Sequence, residues 1–222
     1  DRGATLSEQI DADIVIFEGS GSSIPSVHTD ARILVVGANQ PVEYIRSYLG
    51  PYRVLTSDLI ILTMCEPPIA DQDKVDGMVD AIRKVNPGCT VVKTIFRPRP
   101  IGHITGKKIV LALTAPQAMT GAISTHLEKT YGCVVQGVST HLSNRPLLRE
   151  DLARFEQLKP DAVVSELKAA AVDVVTAWAV DKGFEVVYID NEPISTEPGV
   201  SLEEEVLKVI ARIKGLPEHT NK

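Results

Sequence analysis

The sequence predicts an α/β protein built on a mostly parallel, doubly wound sheet. Three observations support this prediction. Short apolar runs rich in β-branched residues alternate with longer segments that have helical spacing. These short runs are apolar on both faces, which is typical of central parallel strands. The apolar fraction of 44% and the charged fraction of 23% are those of an ordinary globular protein.

Each predicted element follows from a local pattern. The helix over 71–85 has acidic residues in its first turn, apolar residues at helical spacing and a stop at Asn86-Pro87-Gly88. The last helix is expected to be capped by Ser201. The predicted strands cover residues 13–17, 31–36, 59–63, 90–95, 108–114, 134–138, 162–165 and 186–189. The predicted helices cover residues 41–49, 71–85, 117–131, 149–158, 170–182 and 202–212.

A proline-rich stretch interrupts the alternation. It runs Phe96-Arg-Pro-Arg-Pro-Ile-Gly102, and each proline removes a backbone donor and disfavours helix before it. The stretch therefore predicts a loop or a connection between domains. We divide the chain near this point into residues 1–105 and a second α/β unit, residues 106–222.

Charge and cysteine content exclude several classes of protein. The formal net charge of −6 argues against a nucleic-acid partner, and no apolar run approaches the roughly 18 residues that a membrane helix needs. Three cysteines without metal-site spacing indicate reduced, buried thiols in a cytoplasmic protein.

Since the chain begins at Asp1 and its first predicted strand follows at once, we expect a fragment or a processed chain.

The turn after the first predicted strand is the first candidate site. It reads Glu18-Gly19-Ser20-Gly21 and continues with Ser22. Glycines let a ligand approach exposed backbone N–H groups, and a carboxylate can hold Mg²⁺ beside nucleotide phosphates. In open α/β sheets such ligands bind beyond the carboxyl ends of strands. The alternative is a tight turn that binds no ligand.

A phosphate-binding P-loop is not encoded in these residues. The segment Gly102-His-Ile-Thr-Gly106-Lys107 has the wrong spacing for GxxxxGK[ST] and precedes a strand.

The second candidate site is the pair Arg97 and Arg99, because two guanidiniums on a stiff loop could clamp a phosphate bidentately. The alternative is a solvated linker with surface charge.

A third group of polar side chains follows predicted strands in the second unit. His141, Arg145 and Arg149 come after the strand over 134–138, and Lys168 comes after the strand over 162–165. Each one alone could equally be a surface residue. Their shared place beyond strand ends predicts an anion-binding edge.

Several segments together resemble the archaeal cyclic 2,3-diphosphoglycerate synthetase family, which is related to the dethiobiotin-synthetase-like P-loop NTPases. The resemblance spans nearly the whole chain. It rests on Phe17-Glu-Gly-Ser-Gly-Ser-Ser-Ile-Pro25, Val36-Gly-Ala-Asn-Gln-Pro41, Glu43-Tyr-Ile-Arg-Ser-Tyr-Leu-Gly-Pro-Tyr52, Asp58-Leu-Ile-Ile-Leu-Thr-Met-Cys-Glu66, Phe96-Arg-Pro-Arg-Pro-Ile-Gly102, Pro160-Asp-Ala-Val-Val-Ser-Glu-Leu-Lys-Ala-Ala170 and Tyr188-Ile-Asp-Asn-Glu-Pro193.

The resemblance implies an enzyme that uses ATP and Mg²⁺ to close 2,3-bisphosphoglycerate into its cyclic pyrophosphate, with release of ADP and phosphate. Residues 1–105 would be the carboxyl-terminal part of a nucleotide-binding domain, and residues 106–222 would contribute to the substrate site. Partners would be the missing amino-terminal part of the enzyme and a second copy in a homodimer. The implied catalytic residues are Glu18, also the Mg²⁺ ligand, with Arg97 and Arg99. The implied binding residues are Gly19, Ser20, Gly21, Ser22, His141, Arg145, Arg149 and Lys168.

Two other functions fit the same residues. One is another ATP-dependent synthetase of the dethiobiotin-synthetase-like class, in which the activated group is a carboxylate. The other is a non-catalytic module that binds a nucleotide without turning it over.

Overall fold

The computed structural model describes residues 2–7, 9–19, 24 and 27–215, and it is an α/β fold. The chain divides into two compact units. The first unit comprises Asp1–Thr94 and Ser195–Lys222, and the second comprises Ile95–Ile194. Strand β3 (Thr90–Pro100) contributes residues to both units, and β7 (Glu185–Ser195) ends at the boundary.

The first unit contains a parallel sheet in the order β1-β2-β3. Strand β2 is buried at four of its five positions and forms the centre of this sheet. The elements are α1 (Arg2–Ser7), β1 (Ile33–Gly37), α2 (Glu43–Arg46), α3 (Gly50–Leu55), β2 (Leu59–Thr63), α4 (Gln72–Val85), the first part of β3 (Thr90–Pro100) and, near the carboxyl terminus, α8 (Leu202–Lys214).

Helix α4 covers one face of this sheet because its apolar residues recur at helical spacing. Val75, Met78 and Ile82 are buried in one cluster with Ile60 and Leu62 of β2. The Asp71 carboxylate accepts a hydrogen bond from Lys74 N at 2.9 Å and caps the first turn. The predicted limits of this helix and the Ser201 cap of α8 are both confirmed.

The second unit contains four parallel strands in the order β7-β6-β4-β5. The carboxyl part of β3 lies beside β7, with Ile101 N donating to Tyr188 O at 2.7 Å. The elements are β4 (Lys108–Ala112), a 3-10 turn (Gln117–Met119), α5 (Thr120–Tyr131), β5 (Val134–Ser139), α6 (Arg145–Leu158), β6 (Ala162–Glu166), α7 (Val172–Lys182) and β7 (Glu185–Ser195).

Helices cover both faces of this second sheet, as the run of apolar residues in each strand predicts. Ile109 and Leu111 of β4 pack with Leu127 of α5 on one face. Val110 packs with Leu148 of α6 on the other face. All five residues of β6 are buried. The prediction of a mostly parallel, doubly wound arrangement is confirmed.

Three predicted elements were wrong. Residues 13–17 form no strand, and Ile16 is 86% exposed, because an apolar run becomes a strand only where another strand pairs with it. The predicted loop over 96–102 is strand as far as Pro100, within β3. The predicted helix over 41–49 ends at Arg46, and Gly50-Pro51 begins α3 instead of ending a helix, since proline is favoured in a first turn.

Within the described part of the chain, no helix has both the length and the apolar character needed to cross a bilayer.

Candidate functional site

The candidate site lies at the carboxyl edge of the parallel strands in the second unit. Strand β4 has β5 on one side and β6 on the other, so the loops after β4 and β6 diverge at this edge. Such a divergence of loops forms the crevice in which open α/β sheets bind their ligands. Thr114 follows β4, His141 follows β5, and Glu166 ends β6.

Glu166 joins three elements at this crevice. Its Oε2 atom accepts hydrogen bonds from Thr114 N at 2.9 Å and from Thr114 Oγ1 at 2.5 Å. Its Oε1 atom accepts from Asn191 Nδ2 at 3.2 Å, and the residue is only 8% exposed. The carboxylate therefore fixes the loop after β4 against β6 and β7, and these hydrogen bonds stabilise its negative charge.

A second buried carboxylate, Asp151 on α6, organises the end of β5. Its Oδ2 atom accepts hydrogen bonds from Ser139 Oγ at 2.6 Å and from His141 Nδ1 at 2.8 Å. Its Oδ1 atom pairs with Arg154. Burial by itself raises the pKa of Asp151, but the hydrogen bonds from Ser139 and His141 and the charge of Arg154 outweigh it and hold this pKa below its usual value.

The loops that carry the cationic residues are tied to one another. Arg145, at the start of α6, pairs with both oxygens of Asp173 at 2.9 Å and donates to Ala170 O at 3.0 Å. Ala171 N donates to Leu142 O at 3.1 Å. The turn that contains Lys168 is thus held against the loop that contains His141, so the structure brings these two predicted residues to one part of the edge.

Arg149 and Lys168 are both exposed but differ in position. Arg149 lies one turn along α6 from Arg145, and both line a groove of about 540 Å³ between α6 and α7. The groove is also lined by Leu152 and Trp178. Lys168 lies in the turn that follows β6. Among the described residues, the side chains of Arg149 and Lys168 make no hydrogen bond and no ion pair.

Arg97 and Arg99 lie on a strand and not on the predicted loop. Arg99 Nε is 3.7 Å from the Glu192 carboxylate of β7. Arg97 Nη1 donates to Phe96 O at 2.8 Å, and its guanidinium lies near His126 of α5. Burial is the larger cause that lowers the pKa of His126, and the charge of Arg97 adds to it. The two guanidiniums therefore contact different partners.

The predicted nucleotide turn is only partly described. Glu18 and Gly19 are exposed in the first unit, and Ser20, Gly21 and Ser22 lie outside the described residues. No group of three or more His, Cys, Asp or Glu side chains in the described part of the chain could hold a metal ion. A single carboxylate fits Mg²⁺ only where nucleotide phosphates and waters supply the other oxygens, which is how proteins usually bind this ion.

Comparison with known proteins gives the family. A model of the cyclic 2,3-diphosphoglycerate synthetase P-loop domain matches residues 1–95, and a model of the carboxyl-terminal domain of the same synthetase matches residues 100–192. The chain belongs to the cyclic 2,3-diphosphoglycerate synthetase family. The two models together match most of its length, so the resemblance predicted from the sequence is confirmed.

Three relatives named cyclic 2,3-diphosphoglycerate synthetase illustrate the extent of the match. The protein of Methanothermus fervidus is 45% identical over 94% of this chain and 45% of its own length. The proteins of Methanothermobacter thermautotrophicus and Rubrobacter xylanophilus are 44% and 45% identical over 95% and 87% of this chain, and over 46% and 43% of their own lengths. The chain spans about half the length of the curated relatives it matches.

For this member of the synthetase family, sequence reasoning missed the two buried carboxylates of the edge. Glu166 directly follows the buried strand Ala162–Ser165, and that position is the same signal that singled out Glu18. Asp151 gave no such signal, because it lies within a helix, 12 and 10 residues along the chain from Ser139 and His141. Only the packing of α6 against β5 places Asp151 beside His141.

The depressed pKa of Asp151 predicts a contribution to acid unfolding. A carboxyl with a lowered folded pKa stabilises the protein fully above its unfolded pKa of about 3.9, and this contribution is lost as the pH falls through the folded value. Asp151→Asn is therefore expected to lose less stability than the wild type between about pH 4.5 and pH 2.5. Urea midpoints measured across this range test the prediction. Asp181→Asn, an exposed change on α7, should show the same dependence of the urea midpoint on pH as the wild type. If Asp151→Asn also shows the wild-type dependence, the prediction is contradicted.

Proposed function

We propose that this chain forms part of an enzyme that closes 2,3-bisphosphoglycerate into cyclic 2,3-diphosphoglycerate, with ATP cleaved to ADP and phosphate. The observation that carries the proposal is the carboxyl edge of the second unit. His141 and Lys168 lie there on loops that are hydrogen-bonded to each other, and Arg145, at the start of α6, donates to the second of these loops. The choice of reaction is supported by the family of the chain and by the name of its relatives, cyclic 2,3-diphosphoglycerate synthetase.

The charge of the substrate explains the need for these residues. The substrate carries two phosphates and a carboxylate, and a protein with a net charge of −6 needs local cations to bind it. We assign the binding of these three anionic groups to His141, Lys168, Arg99 and Arg97, and we add Arg149, which lines the groove between α6 and α7. Arg145 is already paired with Asp173, so its role is to hold the two loops together as well as to add positive charge.

The proposed chemistry has two steps. The γ-phosphoryl group of ATP is transferred to one phosphate of the substrate, which forms an anhydride as the bond to ADP breaks. The other substrate phosphate then attacks the phosphorus of the activated substrate phosphate. The P–O bond between that phosphorus and the transferred phosphoryl group breaks, and inorganic phosphate leaves. Both steps require positioning and neutralisation of charge more than a covalent nucleophile.

Nucleotide binding is assigned to the first unit. Glu18 would hold Mg²⁺ together with the phosphates, and Gly19, Ser20, Gly21 and Ser22 would donate hydrogen bonds to them. When bound, the ion supplies positive charge against the nucleotide phosphates. These 222 residues contain no GxxxxGK[ST], so we propose that another part of the enzyme supplies the phosphate loop. A cytoplasmic homodimer is part of the same proposal.

Binding of 2,3-bisphosphoglycerate to the 222-residue chain tests the substrate assignment. Lys168→Ala and Arg99→Ala are each expected to weaken binding about tenfold, since each removes one charge-assisted contact. Isothermal calorimetry measures the affinity. Lys129→Ala, in the last turn of α5 and away from the carboxyl edge, is the matched control. Equal affinities in all four proteins would exclude this edge as the binding site.

Turnover tests the nucleotide assignment. Co-expression with the amino-terminal part of a full-length relative, followed by an assay of ATP-dependent loss of 2,3-bisphosphoglycerate, is expected to give activity. Glu18→Gln should lower that activity by at least tenfold, because the ion would lose its protein ligand. Full activity in Glu18→Gln would remove Glu18 from the site.

A further inference from the structure

His141 is held in one orientation by contacts that leave a single nitrogen available. The Asp151 carboxylate lies 2.8 Å from Nδ1, and the backbone N of His141 donates to Ser139 Oγ at 3.2 Å. Asn144 N donates to His141 O at 2.7 Å and closes the loop. Asp151 therefore holds the ring, and Ser139 and Asn144 hold the backbone that carries it.

The contact with Asp151 determines where the proton of the neutral ring lies. A carboxylate only accepts hydrogen bonds, so Nδ1 carries the proton and Nε2 keeps its lone pair. The Asp151 side chain is 9% exposed, whereas that of His141 is 40% exposed. Among the described residues, none makes a hydrogen bond with Nε2. A buried anion thus orients an imidazole whose other nitrogen is open to a ligand at the carboxyl edge.

Charged side chains lie on the elements around the ring, and most of them are paired within the protein. On α6, Asp151 is shared with Ser139 and Arg154, and Arg145 is paired with Asp173 of α7. On β6 and its turn lie Glu166, which is satisfied by Thr114 and Asn191, and Lys168. The loop after β4 contributes Thr114 and Gln117, which carry no charge.

From this arrangement we infer that His141 and Asp151 form a proton-carrying pair at the substrate phosphate. His141 Nε2 takes up one proton as the phosphate dianion binds, and the resulting N–H donates a hydrogen bond to a phosphate oxygen. When the P–O bond to inorganic phosphate breaks, that proton passes to the departing oxygen and the ring returns to its neutral form. Asp151 is a positioning residue, since it contacts the ring, Ser139 and Arg154 and acts on the phosphate only through His141. The inference rests on the proposed function, because it assigns the phosphate to that substrate.

Calorimetry in two buffers tests the proton transfer. Binding of 2,3-bisphosphoglycerate to the 222-residue chain at pH 8 is measured in HEPES and in Tris, which differ in their heats of ionisation. The wild type is expected to take up about one proton per bound ligand, as one nitrogen titrates. His141→Gln should bind about tenfold more weakly and take up none. His103→Gln, an exposed histidine before β4, should behave like the wild type.

The positioning role of Asp151 is tested without a ligand. The ring nitrogen shifts of His141, read by ¹H–¹⁵N NMR at pH 8, are expected to show the proton on Nδ1 in the wild type. Asp151→Asn should mix the two tautomers and reduce proton uptake on binding. A wild-type ring with its proton on Nε2 would overturn the role of Asp151.

The outcomes separate this inference from the function on which it rests. If the wild type binds 2,3-bisphosphoglycerate with no difference between the two buffers, the proton-carrying pair is wrong and the substrate assignment stands. If the wild type does not bind 2,3-bisphosphoglycerate, the proposed function fails, and the inference fails with it.

Discussion

Gly50→Ala is expected to destabilise the first unit by about 3 kcal/mol. Gly50 is buried at the start of α3, and a Cβ atom there would meet the carbonyl oxygens of Tyr44 and Ile45, the latter at 2.9 Å. These are backbone atoms of α2, so no side-chain rotation can make room. Either α3 moves away from α2, or the added methyl group stays in close contact with α2, and both outcomes are expected to cost a similar free energy. Urea unfolding followed by circular dichroism measures the change.

Gly77→Ala is the matched control for this prediction. Gly77 lies in the middle of α4, and nothing lies within 4 Å of the position that its Cβ would occupy. Alanine in a helix interior is favoured over glycine by about 0.5–1 kcal/mol, so this variant should be more stable than the wild type. The change from glycine to alanine is thus expected to lower the free energy of unfolding at position 50 and to raise it at position 77. Equal effects would show that the approach of α2 to α3 is not close.

Glu166→Gln is expected to destabilise the second unit by about 3 kcal/mol. The amide has nearly the same shape but turns one acceptor into a donor, so it cannot serve both Thr114 and Asn191. A hydrogen bond to a charged group is worth about 1.5–3 kcal/mol, so losing the charge and one acceptor of this carboxylate is expected to cost about that much. Urea unfolding measures the loss, and hydrogen exchange should locate it at Thr114 N.

The control for Glu166 is Glu185→Gln at the other end of the second sheet. Glu185 accepts two hydrogen bonds from Lys107 Nζ at 2.7 Å, but half of its side chain is exposed. Water can replace the lysine there, so the expected change is below about 1 kcal/mol. If both variants lost the same stability, burial would not be the cause, and the argument for a preorganised crevice at Thr114 and Glu166 would fail.

Local patterns predicted the central strands and the well-punctuated helices. Strand β2 was predicted over its observed range, because four consecutive apolar residues stand between Asp58 and Thr63. Helix α4 was predicted within one residue, since Asp71 caps it and Asn86-Pro87-Gly88 cannot continue it. The edges of the sheets were predicted less well. Whether residues 13–17 or 96–100 form a strand depends on a neighbouring strand, which is not a local property.

The sequence by itself determined the fold class, the family and the kind of residue that handles phosphate. Alternation of apolar strands with amphipathic helices is a local signal, and cations after strand ends meet at one edge of any parallel sheet. Tertiary structure alone decided how those residues work together. Asp151 reaches His141 only because α6 packs on β5, and Glu166 meets Thr114 only because β6 pairs with β4. Contacts between residues 10 and 52 positions apart arise from packing and pairing, and these are set by the whole chain.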